Sequence, residues 1–107
     1  MEGTYFDVET RAGTRSVRVR GEVDLYNAPG FERALGPGDA VRDLLIVDLS
    51  GCRYIDSAGF AIVIRYHRAL GERLCIVVAP ESPLRRIFRI AGLEGLVRSS
   101  PPAMAPA

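Results

Sequence analysis

The 107-residue chain is long enough for one compact domain and too short for two, and folding at this length buries roughly two-thirds of the surface of the unfolded chain. A hydrophobic fraction of 48% supports a core without disulfides, and a net charge of +1 gives no electrostatic footprint for binding nucleic acid directly. One histidine and two separated cysteines, Cys52 and Cys75, fall short of a structural zinc set, so no metal or other cofactor is expected.

Along the chain, Tyr5 to Glu9 and Val17 to Val23 are runs with β-branched and aromatic residues in partial alternation. Arg11 to Arg15, with Gly13 at the centre, predicts the turn of a hairpin. In the second run Val17, Val19 and Gly21 point one way and Arg18, Arg20 and Glu22 the other, which predicts one wet face. Asn27 is the expected N-cap of a short helix carrying Pro29, Phe31, Ala34 and Leu35, stopped by Gly36-Pro37-Gly38. Leu44 to Leu49 is a near-continuous apolar run, the pattern of a strand buried on both faces, and a polar turn is expected after it. Ala58 to Leu70 predicts a helix ending at Gly71, and Arg73 to Ala79 a second buried strand ending at Pro80. Ser82 and Pro83 open a last helix, where Leu84, Ile87, Phe88 and Ala91 form the apolar stripe and Arg85, Arg86 and Arg89 a solvated side. Gly92 closes that helix, and Leu96 to Arg98 predicts a final short strand.

Strands separated by helices favour parallel pairing with right-handed crossovers. The expectation is one α/β domain: a mixed, mostly parallel sheet of four to five strands with about three to four helices. Its helix-side core should draw on Phe60, Val63, Ile64, Leu84, Ile87 and Phe88. The domain is expected over residues 1–99, followed by a flexible Pro/Ala-rich tail over 100–107, whose composition cannot bury enough to order itself. No apolar segment approaches the ~18 residues that span a bilayer, and MEGTYFDVET lacks a secretory leader's basic-then-apolar pattern. A reducing cytoplasm is the expected setting.

Chemistry concentrates in DLSGCRYIDSAGFAIVI, residues 48–64, where an acid and a hydroxyl stand together at a helix start. One reading is structural: Ser57 caps the helix beginning at Ala58, and Asp56 favours the positive helix end. A catalytic reading needs a base for Ser57. The sole histidine, His67, lies ten residues further along the same helix, a rise of about 15 Å. The flanks also lack the Gly-x-Ser-x-Gly elbow, and no glycine-rich phosphate loop is present. The chain is not expected to be an enzyme.

VDLSGCRYIDSAGFAIVI resembles the signature of the STAS domain family: an apolar strand, Asp-Leu-Ser, then Ile-Asp-Ser-Ser/Ala-Gly and a helix. GEVDLYNAPGFERAL is similar to the family's Gly-Glu-Leu-Asp segment and first helix, and SPLRRIFRIAGLEGLV to its closing helix. The three segments stand in order from about Val17 to Val97. The chain departs from the pattern at Phe60, Ala61, Arg53 and Tyr54, and Ala58 leaves Ser57 as the only hydroxyl in the turn.

Small stand-alone members resemble anti-sigma factor antagonists. The resemblance implies a partner that holds a sigma factor and is also a serine kinase. The unmodified antagonist captures it, the phosphorylated one lets go, and a serine phosphatase resets the cycle. It places the modified serine on Ser57 and a partner-surface acid on Asp24. The expected surface joins Asp56, Ser57, Ala58 and Gly59 to the loop from Asp24 to Asn27, because binding crevices of open α/β sheets lie beyond the strands' carboxyl ends. The chain is expected to act as a monomer or weak dimer. A second class stays open: a non-phosphorylated STAS accessory subunit of a lipid-transport or other complex.

Overall fold

The opening hairpin pairs β1 (Tyr5–Arg11) with β2 (Thr14–Val23) through a two-residue turn. Both turn residues, Ala12 and Gly13, have positive φ, at 48° and 86°, the handedness that matches the twist of the flanking strands. The structure, a computed structural model, describes residues 3–104; the last three residues of the expected tail lie outside the described residues. After the hairpin come α1 (Ala28–Leu35), β3 (Leu44–Ile55), α2 (Ser57–Leu70), β4 (Leu74–Val77), α3 (Leu84–Ile90) and β5 (Val97–Arg98). Short 3₁₀ turns precede β3, β4 and β5.

The five strands lie in the order β1-β2-β3-β4-β5. The first pair is antiparallel and the rest are parallel. This is the expected α/β architecture, with β3 and β4 inside the sheet. Inward positions alternate as the strand period requires: Val17 and Val19 on β2, Leu45, Val47 and Leu49 on β3, Leu74 and Ile76 on β4. Against them pack Ala28, Phe31 and Leu35 of α1, Ile62, Val63, Tyr66 and Leu70 of α2, and Leu84 and Phe88 of α3.

Three expectations need correction. The segment after Leu49 is not a turn: β3 runs on to Ile55, because β2 continues beside it and supplies hydrogen-bonding partners as far as Val23↔Ile55. Register shifts between Arg18 and Arg20 and between Gly21 and Glu22 break the alternation there. Ile87 is also not core; it is 36% exposed, because the seven-residue α3 turns only Leu84 and Phe88 inward. Of the other expected core residues, Val63, Leu84 and Phe88 are buried, while Phe60 and Ile64 are partly buried against the cluster. The sequence predicts Ser82 as the cap of the last helix with Pro83 at its first position; instead α3 starts at Leu84 with Pro83 in the cap position and no side-chain cap, while Ser82, one residue earlier, accepts from the Leu84 N–H at 3.2 Å through its Oγ.

Candidate functional site

β2 and β3 run in the same direction, so the chain leaves both at one end of the sheet. Asp24 follows β2 and Asp56 follows β3. The Asp56 N–H donates to the Val23 carbonyl at 3.0 Å, which ties the two exits together. The fold thus sets the two predicted segments side by side.

Asp24 and Asn27 hold their loop by reciprocal bonds. Asp24 Oδ1 accepts from the Tyr26 N–H at 3.0 Å and the Asn27 N–H at 3.1 Å. Asn27 Oδ1 accepts from the Asp24 N–H at 2.9 Å, and Asn27 Nδ2 donates to the Glu22 carbonyl at 2.9 Å. Asn27 therefore occupies the N-cap position of α1 without capping it; its side chain clasps the loop instead. The clasp presents two side chains that sequence reasoning missed: Leu25 is 69% exposed and Tyr26 92%. The one signal for them was an apolar pair directly after a turn-forming aspartate. Behind Leu25 a groove of about 870 Å³ runs between α1 and α2, over Ala28, Glu32, Ile62 and Tyr66.

In the second segment the cap is Asp56, not Ser57. Asp56 has extended backbone, and its Oδ1 accepts from the Gly59 N–H at 3.0 Å. Its carbonyl accepts from the Phe60 N–H at 2.9 Å. Ser57 is already the first residue of α2. Its side chain is exposed, and no hydrogen bond within the described residues engages its hydroxyl. The reason is positional: a cap needs extended backbone one residue before the first helical one, and that residue is the aspartate. Ala58 is half-buried against the core. Gly59 is buried, pressed on the ends of β2 and β3.

An unequal pair of substitutions follows. Asp56→Ala should cost about 1 kcal/mol, the usual loss of a side-chain cap. Ser57→Ala should change stability by less than about 0.5 kcal/mol, as at an uninvolved surface position. Urea unfolding of the two variants checks this, and a larger loss at Ser57 contradicts the geometry.

His67 is half-buried within α2, away from Ser57 at the helix start. Burial pushes the thiols of Cys52 and Cys75 up, away from the reactive thiolate. No helix among the described residues is long and apolar enough to cross a membrane.

The STAS domain family model matches residues 5–103. The chain belongs to the STAS domain family. The anti-sigma-B factor antagonist of Staphylococcus aureus strain NCTC 8325 is 32% identical over 85 residues, covering 76% of this chain and 78% of that protein. The crystal structure of an anti-sigma factor antagonist from Mycobacterium paratuberculosis superposes with a TM-score of 0.73 at 26% identity, covering 92% of this chain and 87% of the other. The Bacillus cell fate determinant SpoIIAA, solved in its phosphorylated form, shares the fold with a TM-score of 0.69 at 20% identity, covering 88% of this chain and 89% of that one. Within this STAS domain the signature segment maps onto the end of β3 and the start of α2, and the Gly-Glu-Val-Asp segment onto the end of β2.

Proposed function

We propose that this STAS domain is an anti-sigma factor antagonist working in the bacterial cytoplasm. It captures an anti-sigma factor that is also a serine kinase, frees the sigma factor, and is released when the kinase phosphorylates Ser57. A serine phosphatase restores it. The chain acts by binding protein, without direct contact to nucleic acid and without catalysis of its own. The observation that carries the reading is Ser57: exposed, its hydroxyl in no hydrogen bond among the described residues, and held at the start of α2 beside the clasped Asp24–Asn27 loop. Relatives named as antagonists support it, as does a protein of the same fold solved phosphorylated.

The deciding experiment incubates the purified chain with a candidate anti-sigma factor kinase and ATP, then locates the phosphate by mass spectrometry. Modification at Ser57, absent in Ser57→Ala, is expected. Modification elsewhere refutes the assignment.

The partner surface comprises Asp24, Asn27, Asp56, Ser57 and Ala58, with Leu25 and Tyr26 as its apolar contacts; Gly59, expected among them, is buried and supports the turn from beneath. A tyrosine held out by a fixed backbone loses little entropy on binding. Tyr26→Ala should weaken capture of the kinase about 10-fold, at the scale of a modest interface hot spot. Since the ring is nearly free of the fold, stability should stay within about 0.5 kcal/mol. Calorimetric titration reads the first and urea unfolding the second; unchanged affinity removes Tyr26 from the surface.

A further inference from the structure

Strands β2 to β5 follow one another in space as they do in sequence, with a helix in each crossover, so right-handed connections put every helix on one face. The opposite face carries a second apolar cluster, Ile46, Cys75 and Val77, to which no helix contributes. Pairing sets these residues in rows: Ser16, Ile46 and Cys75 in one, Arg18, Asp48, Val77 and Arg98 in the next. An uncovered sheet face leaves such side chains wet. Yet Ile46 is 1% exposed, Cys75 4% and Val77 0%.

Leu44, at the start of β3, covers part of this cluster, and the C-terminal segment supplies further cover. The Arg98 carbonyl accepts from the Val78 N–H at 2.9 Å, and Arg85 Nη2 donates to Ser99 Oγ at 2.7 Å, which fixes where the segment departs. Pro102 then helps to line a gap of about 390 Å³ with Leu44, Cys75 and Leu96, and Met104 packs on the cluster itself. Among the described residues, Met104 is the apolar contact that the segment makes with the cluster, and a terminal segment anchored this way opens at lower free-energy cost than the core.

We propose that residues 99–104 form a displaceable strap, with Met104 as its latch, that covers the Ile46–Cys75–Val77 strip and gates the Cys75 thiol. Lifting the strap uncovers an apolar strip on the side of the sheet away from the helices. It also changes the thiol. Burial raises its pKa, while Arg98 opposes that rise. Opening lessens the burial and leaves both Arg98, which lowers the pKa, and Asp48, whose smaller influence raises it, so an uncovered Cys75 is the more reactive thiol.

The test is alkylation of the intact native chain with iodoacetamide, each cysteine followed by peptide mass spectrometry. Cys52, also 4% exposed but in the main core, serves as the internal clock for global opening. In the intact chain Cys75 should react at least ~10-fold faster than Cys52, because the strap opens locally. Met104→Ser, and a chain truncated after Ser99, should each speed Cys75 by a further ~10-fold or more, about what burial of one methionine side chain is worth, with Cys52 unchanged. An unaltered Cys75 rate in both variants overturns the proposal. So does a parallel rise at both cysteines, which makes the segment part of the core. An intact chain that sediments as a dimer, with Cys75 still protected after truncation, puts a second copy on the strip and overturns it as well.

Discussion

Replacing Gly59 with alanine is expected to destabilise the domain by about 2–3 kcal/mol, the upper range for an added methyl in a packed core. A Cβ built at Gly59 lies 2.6 Å from Val23 Cγ1 and 2.8 Å from Ile55 Cγ1. Neither atom can swing aside. Val23 is 0% exposed and Ile55 3%, and both end strands whose backbones are paired to each other. Relief must come from α2 lifting off the sheet, which stretches the Asp56–Val23 bond that joins the two halves of the site. The substitution should therefore damage the site as well as the core. Val23→Ala removes the closest of these atoms. In the double variant the two losses should fall short of their sum by more than about 0.5 kcal/mol, the mark of residues in contact. Gly95, with nothing within 4 Å of an added methyl and no positive φ, is the matched control. Gly95→Ala should shift stability by less than about 0.5 kcal/mol. Urea unfolding of the four variants and the unsubstituted chain decides it, and full additivity of Gly59→Ala and Val23→Ala defeats the close-packing explanation.

Strong periodic segments made the fold legible in the sequence. The runs at Leu44–Leu49 and Arg73–Ala79 and the stretch from Ala58 to Gly71 could be read because each is apolar and bounded by signals the sequence shows: Asp43 and Ser50 for the first, Pro80 after the second and Gly71 closing the third. What stayed hidden depends on neighbours distant in sequence. SGCRYI has the composition of a turn, and only the continuation of β2 beside it makes it strand. Leu44 to Leu49 reads as buried on both sides; from Leu45 on it is, with helices over one side, while Leu44 is only partly buried and packs with Met104 on the other. At the site, the pairing of the Asp24 loop with the Asp56-Ser57 turn followed from strand polarity and resemblance. The division of labour within each pair did not. Both aspartate and serine favour caps, so composition leaves Asp56 and Ser57 interchangeable; the extended backbone at Asp56 makes it the cap and leaves Ser57 free. Asn27 likewise looks like a cap and instead bonds backward to Asp24 and Glu22, a choice set by loop geometry.

That freedom of Ser57 sets the expected effect of phosphorylation: stability nearly unchanged, capture of the kinase reduced by roughly 100- to 1000-fold. The phosphate brings about −1.5 to −2 charge at neutral pH. Two local effects oppose each other. The N-terminus of the 14-residue α2 attracts the group by about 0.3–1 kcal/mol. The neighbouring Asp56 carboxylate repels it to a similar extent when solvent screens the pair. No internal bond is lost, because the hydroxyl makes none within the described residues, and an exposed side chain leaves the added bulk in water. Unfolding free energy should therefore move by less than about 1 kcal/mol. The bound complex has no such balance. A group of doubled charge must be stripped of water against the surface that had accepted a neutral hydroxyl, and a cost of about 3–4 kcal/mol gives the stated loss of affinity. Ser57→Asp should reproduce part of the loss, carrying less charge and bulk. Ser57→Ala should bind as the unmodified chain does and resist the kinase. Urea unfolding and calorimetric titration, run on the same modified and unmodified samples, separate the two quantities. Equal affinity of both samples defeats the switch. A stability change above about 2 kcal/mol, larger than a helix terminus and one screened neighbour supply, means that phosphorylation remodels the fold rather than the interface.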